Sequence, residues 1–238
     1  MMASVTKHSS RGRFITFEGL DGCGKTTQLE KLASELRGRG IDVVTTREPG
    51  GTEIGERIRA VLLDSRTAGL DAHAEMALMF ASRAQQIAQV ILPALEAGQW
   101  VLCDRFTDST EAYQGGGRKL GSEAVLSCHQ ALCGGLWPDL TILMDTDVTA
   151  TVARARRRNK AAVISAPSFG TNSAQDGVLP NENRFEQESH AFFTRVRNAY
   201  LEIARREPQR VALVDARPSL DVVHPEIVRI VRERLRIA

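Results

Sequence analysis

Near the start of the chain, Gly19-Leu20-Asp21-Gly22-Cys23-Gly24-Lys25-Thr26-Thr27 fits the spacing G-x-x-x-x-G-K-[ST]. Residues of these types in this order suit the holding of a polyphosphate. Glycines let successive backbone N–H groups converge on phosphate oxygens, an approach that a Cβ would obstruct. Lys25 adds a point charge for the β and γ phosphates, and the Thr26 hydroxyl is of the kind that ligates Mg²⁺. A helix opening at Lys25 would turn its positive end to the same anion. The stretch therefore predicts a nucleoside triphosphate site over Gly19 to Thr27.

A second group follows in Val101-Leu-Cys-Asp104-Arg105-Phe106. A strand ending in an acid places Asp104 beside the Mg²⁺ shell, and Arg105 then faces the phosphate in transfer. Asp145, at the end of another apolar run, competes for the metal role, and the arginine neighbour favours Asp104. The stretch Thr46-Arg47-Glu48-Pro49-Gly50-Gly51-Thr52 is by itself only a turn. Arg154, Arg156, Arg157, Arg158 and Lys160 precede a Ser, Asn, Gly and Pro-rich segment from Ala161 to Asn183, which reads as a mobile flap with a basic root. Arginines there suit a solvated helix end as well as the charge of a phosphoryl group in flight.

Positioning these groups requires alternating strands and helices. Apolar runs predict strands over Arg13 to Glu18, Ile41 to Thr46, Trp100 to Asp104, Leu140 to Asp145 and Arg210 to Asp215. Helical periodicity covers Thr26 to Arg37, Glu53 to Leu63, Ala72 to Glu96 with a bend near Pro93, Ser122 to Cys133, Val148 to Arg158, Phe185 to Arg206 and Leu220 to Arg236. Five strands with helical crossovers imply an α/β fold with a doubly wound five-stranded parallel sheet, whose ligands bind at the carboxyl ends of the strands. The length of 238 residues suits one domain from residue 13, with a flexible lid over about 154–184 and a disordered leader over 1–12.

Composition narrows the class. With 31 basic against 29 acidic residues, no global field marks a nucleic-acid partner. Cys23, Cys103, Cys128 and Cys133 form neither a C-x-x-C pair nor a zinc pattern and read as free thiols of a reducing compartment. No run approaches 18 apolar residues, so no membrane partner is expected and a cytoplasmic location is.

Glu18-Gly19-Leu20-Asp21-Gly22, Arg47-Glu48-Pro49-Gly50-Gly51-Thr52, Asp104-Arg105-Phe106 and Tyr113-Gln114-Gly115-Gly116-Gly117-Arg118, in this order, resemble bacterial thymidylate kinases, P-loop nucleoside monophosphate kinases. The resemblance spans about Phe14 to Leu235. It implies transfer of the γ-phosphate of ATP to dTMP, giving dTDP and ADP, with Mg²⁺ and as a homodimer. It implies that Asp21 meets the acceptor's 3′-hydroxyl and the metal, and that Glu48 and Pro49 border the acceptor. Arg105 would hold the dTMP phosphate and Arg83 the thymine edge. Arg59, Ser109, Thr110 and Gln114 would complete polar recognition, and Tyr113 would crowd the 2′ position. Either Met79 or Phe80 would face the base, with Phe80 assigned. Catalytic charge would come from Lys25, Arg105 and the last lid arginine, Arg158, with Asp104 at the metal.

Overall fold

The run Phe14-Ile-Thr-Phe-Glu18 is apolar enough to be covered on both faces, and it forms the fully buried middle strand β1. Strands β2 (Val43–Arg47), β3 (Trp100–Asp104), β4 (Leu140–Asp145) and β5 (Val211–Asp215) complete a parallel sheet in the order β2-β3-β1-β4-β5. Phe14 pairs with Val101 and Phe17 with Asp104 on one side, and Ile15 pairs with Leu140 on the other. This computed structural model describes residues 11–151, 153–154 and 184–237. The flap expected over 161–183 and all but two residues of the expected leader lie outside that set. Those two are tied down: Gly12 donates from its backbone N–H to the Leu95 carbonyl at 2.9 Å, and Arg11 pairs with Asp139.

Helices cover both faces, so the sheet is doubly wound as the alternation implied. On one side α1 (Lys25–Gly38) presents Leu29, Leu32, Ala33 and Leu36 at helical spacing to the same cluster as Ile15, Phe17 and Val223, Ile227 and Val231 of the C-terminal helix. On the other side lie α2 (Glu53–Leu63), α3 (Ala72–Gln86) and its continuation α4 (Leu92–Glu96), with Met76, Phe80, Ile91 and Leu95 packed on Phe14, Val101 and Cys103. A widened π turn at Ile87–Ile91 joins α3 to α4. It stands where Pro93 lacks the N–H that would return to the carbonyl four residues back.

Several elements differ from the expectation. A short helix α5 (Thr107–Thr110) and a π turn at Glu111–Gly117 occupy a stretch whose three glycines argue against helix. Close packing explains them: a Cβ on Gly117 would lie 2.6 Å from a ring carbon of Phe192, and one on Gly116 2.7 Å from the Cβ of Ala199. After α6 (Ser122–Leu132), the helix expected from Phe185 begins instead at His190 as α7 (His190–Arg206). Ser189 caps it by accepting from the Phe192 N–H at 3.2 Å, so Phe185–Gln187 form a separate 3₁₀ turn. The second strand starts at Val43 rather than Ile41 and includes Arg47. The last helix, α8 (Leu220–Leu235), stands as expected, and residues 148–151 are helical where the chain leaves β4.

Strands β2 and β3 lie on one side of β1 and β4 and β5 on the other, so the strand order reverses there and opens a crevice at the carboxyl ends of β1, β3 and β4.

Candidate active site

The phosphate loop lies in this crevice. Gly19, Gly22 and Gly24 take φ of 134°, 85° and 96°, in the range that favours glycine, and a Cβ on Gly19 would sit 2.4 Å from the Met144 carbonyl oxygen. Lys25, the first residue of α1, donates from Nζ to the carbonyls of Gly19 and Leu20 at 3.1 and 3.0 Å, which wraps the loop around the ammonium. Thr26 Oγ1 donates to Asp104 Oδ2 at 2.5 Å, so the hydroxyl and the strand-end carboxylate form one oxygen pair. Asp145 is spoken for elsewhere: both its oxygens accept from Arg197, each at 2.6 Å. Leu20 and Cys23 are buried in the core, Cys23 with its Sγ 4.0 Å from Lys25 Nζ.

Arg105 follows Asp104 with φ of 75°, a left-handed conformation uncommon outside glycine, held by its N–H on the Phe17 carbonyl at 2.9 Å. Its guanidinium donates to Asp21 Oδ1 at 2.8 Å, Ser109 Oγ at 2.9 Å, Tyr200 OH at 3.1 Å and Tyr113 OH at 3.3 Å. Beside it opens a cavity of about 190 Å³. Asp21, Glu48, Pro49, Arg59, Arg83, Arg105, Ser109, Thr110, Tyr113 and Gln114 all line it. A wider cleft of about 660 Å³ runs along Gly22, Gly24, Lys25, Thr26, Thr27 and Asp104, and it shares Asp21, Glu48, Arg59 and Arg105 with the cavity.

Phe80 does not line the cavity. Its ring is fully buried in the core beside β1 and β3, with the Arg83 guanidinium 4.9 Å from its centroid, and Met79 stands in the cavity wall instead. One residue along a helix turns a side chain by about 100°, so only one of the two can face the ligand. Phe106 of the Asp104-Arg105-Phe106 motif also lines the cavity, and Leu63 and Phe185 are wall residues that sequence pattern did not single out. Of the basic root, Arg154 is described, with Nη2 3.3 Å from Thr146 Oγ1; Arg156, Arg157 and Arg158 lie outside the described residues.

Comparison with known proteins decides the family. The family profile described as Thymidylate kinase matches residues 17–227. The chain belongs to the thymidylate kinase family. It is 50% identical to the thymidylate kinase of Desulfovibrio desulfuricans over 211 residues, 88% of this chain and 91% of the relative. It is 48% identical to that of Pseudomonas putida over 216 residues, 91% and 93% of the two chains. The crystal structure of thymidylate kinase from Ehrlichia chaffeensis superposes with a TM-score of 0.67 at 30% identity, covering 93% of this chain and 99% of that one.

In this member of the family, burial sets the electrostatics of the pocket. Glu48 is pushed up to about 7 by burial, against the pull of Arg83, which donates from Nε at 2.6 Å. Arg83 is itself 2% exposed and donates from Nη2 to Thr110 Oγ1 at 2.9 Å. Burial also raises the Tyr113 and Tyr200 phenols, which therefore stay protonated as neutral donors.

Two residues that sequence reasoning did not assign stand behind Arg105. Glu18, wholly buried at the end of β1, accepts from the Phe106 N–H at 2.7 Å, Ser109 Oγ at 2.5 Å and Tyr200 OH at 3.1 Å. Ser109 and Tyr200 are the same hydroxyls that receive Arg105, so a buried carboxyl braces the guanidinium through two intermediaries. Glu18 closes a mostly apolar strand and opens the Glu18-Gly19-Leu20-Asp21-Gly22 motif, the two signals in the sequence that pointed to it. Nothing local marked Tyr200, since it comes from the middle of α7.

Proposed function

We propose that this chain transfers the γ-phosphate of ATP to dTMP, giving dTDP and ADP. The observation that carries the reading is the junction of two spaces at Asp21, Glu48, Arg59 and Arg105: a phosphate-loop cleft on one side and a small walled cavity on the other. Donor and acceptor phosphates brought to that junction meet with Arg105 between them. Arg105 holds the acceptor phosphate, because its planar fork offers paired donors to two oxygens and its four present partners preset the orientation. Lys25 meets the β and γ phosphates at the start of α1. Asp21 accepts from the acceptor's 3′-hydroxyl, and Tyr113 occupies the space a 2′-hydroxyl would need.

Mg²⁺ fits the residues present. Thr26 and Asp104 offer hard oxygens 2.5 Å apart next to the loop, with Asp21 near by. Among the described residues no group of three or more His, Cys, Asp or Glu could hold a metal, which suits an ion held by few protein oxygens together with substrate phosphates. When bound, Mg²⁺ neutralises phosphate charge. The protein's own part is to orient, to supply cationic donors and to exclude water. No strong general base is needed, since the acceptor is already an anionic phosphate. Arg158 adds lid charge on this reading, which rests on the sequence alone.

The wider assignments follow the same reading. Four free cysteines support a reducing, cytoplasmic setting, and among the described residues no helix is long and apolar enough to cross a membrane. Exposed Ile54 and Val61 on α2 and Leu132 on α6 supply apolar surface for a homodimer, which light scattering at two concentrations checks. The function itself is tested by mixing the protein with ATP and Mg²⁺ and following ADP with and without dTMP. ADP formation that ignores dTMP overturns the proposal.

A further inference from the structure

The acceptor cavity contains a side chain that can hydrogen-bond in either sense, Gln114, and the surrounding fold determines which sense it presents. Glu75, on α3, is wholly buried, and its Oε1 accepts from Gln114 Nε2 at 2.7 Å. The same carboxylate accepts from Arg118 Nε and Nη2, each at 3.1 Å, and from Arg184 Nη2 at 2.6 Å. Carboxylate oxygens facing donors on all these sides can only accept. The amide of Gln114 must therefore turn its NH₂ toward Glu75. Its carbonyl oxygen, which bonds to none of the described residues, is left as the acceptor that Gln114 brings to the cavity it lines.

One helical turn before Gln114 stands Thr110, which receives Arg83 at 2.9 Å, and Arg83 lines the same cavity. A guanidinium only donates. The wall thus sets a fixed donor close to a fixed acceptor. An imide edge, a ring N–H flanked by carbonyls, complements that pair. The edge of an aminopyrimidine, with a bare ring nitrogen beside an exocyclic amine, opposes it at both places.

We propose that Glu75 is a positioning residue for base selectivity, locking the Gln114 amide so that the cavity takes the imide edge of thymine or uracil and refuses the edge of cytosine. The inference rests on the acceptor reading given above. Glu75 never touches the base; it acts through Gln114. A residue that only strutted α3 against Arg118 and Arg184 would affect all acceptors alike.

Glu75→Gln separates the two roles. A glutamine at 75 gives its oxygen to the arginines and turns its NH₂ to Gln114, which must then flip and present NH₂ to the cavity. The ratio of kcat/KM for dTMP to that for dCMP then falls by roughly 10- to 100-fold, the scale of one buried hydrogen bond replaced by facing donors. Glu75→Asp keeps an acceptor-only group and keeps the ratio, whatever its activity. The double variant Glu75→Gln with Gln114→Glu restores an acceptor to the cavity and returns the preference for dTMP. A Glu75→Gln protein whose two kcat/KM values drop in parallel overturns the proposal, as does a double variant that stays indifferent to the base. If the single variant does not fold, the double variant decides alone by the same criterion. Wild-type protein with no dTMP-dependent activity would instead mark failure of the acceptor reading itself.

Discussion

Glu18→Gln tests whether the buried carboxyl governs Arg105. Three donors face the two oxygens of Glu18, namely Phe106 N–H, Ser109 Oγ and Tyr200 OH. An amide has one acceptor oxygen. The Phe106 N–H is fixed in direction, so it claims that oxygen, and the new NH₂ faces Ser109 and Tyr200. Both hydroxyls then lose the acceptor that polarised them, and they become poorer acceptors for Arg105. Displacing one buried hydrogen bond in this way costs about 1–3 kcal/mol, which predicts a fall in kcat/KM for dTMP of roughly 5- to 150-fold at pH 9, where the wild-type carboxylate has formed. The variant also carries a pH signature. Burial, with Asp108 adding to it, pushes the Glu18 carboxyl from 4.5 up to about 8. A raised folded-state value means stability fully present below 4.5 and lost as pH rises through about 8, by at most about 5 kcal/mol. Glu18→Gln lacks that titration, so its stability relative to wild type improves as the buffer moves from acid to pH 9. In wild type, kcat/KM rises as the carboxylate forms near pH 8; in the variant it stays flat. A coupled ADP assay and urea unfolding across that range measure both. A variant that keeps the step near pH 8 and wild-type kcat/KM refutes the bracing role.

Other predictions are simpler. Lys25→Ala lowers turnover by about a hundredfold or more, with the thermal unfolding midpoint near wild type, because a preorganised charge leaves the transferring phosphate; steady-state kinetics and calorimetry check the pair. The protein prefers dTMP to UMP, since a 2′-hydroxyl meets Tyr113 and the missing methyl leaves space, worth roughly 1–3 kcal/mol for each such group, and Tyr113→Ala narrows the gap in kcat/KM. Gly117→Ala places a Cβ 2.6 Å from the Phe192 ring and destabilises the protein by about 1–3 kcal/mol, read as a lowered denaturation midpoint.

Much of the site was legible because its parts sit where chain-local rules place them. The phosphate loop lies between an apolar strand and a helix of clear period, and Asp104–Arg105 ends a strand, so periodicity alone put both at one sheet edge. What could not be read was contact between distant segments. Gly115-Gly116-Gly117 has poor helix propensity, and only the approach of α7 explains its helical turn. Met79 and Phe80 are both apolar on one helix, and choosing between them needs the helix's rotation against the sheet rather than its composition. Tyr200 reaches Arg105 from far along the chain and carries no local mark. The Glu75 set joins α3, the π turn and Arg184, three segments whose charges look like ordinary solvated ones until the fold buries them.

The central claim is that the phosphate-loop cleft and the cavity beside it are donor and acceptor halves of one site, joined at Arg105. Incubation with Mg²⁺ and ATP labelled at the γ-phosphate, followed by separation of products, tests it most directly. With dTMP present the label passes into dTDP, and Arg105→Lys cuts that transfer by about a hundredfold or more, because an ammonium cannot reproduce the fork that spans Asp21, Ser109 and Tyr200. Label released only as inorganic phosphate, or transfer to dTDP that Arg105→Lys leaves unchanged, would contradict the account.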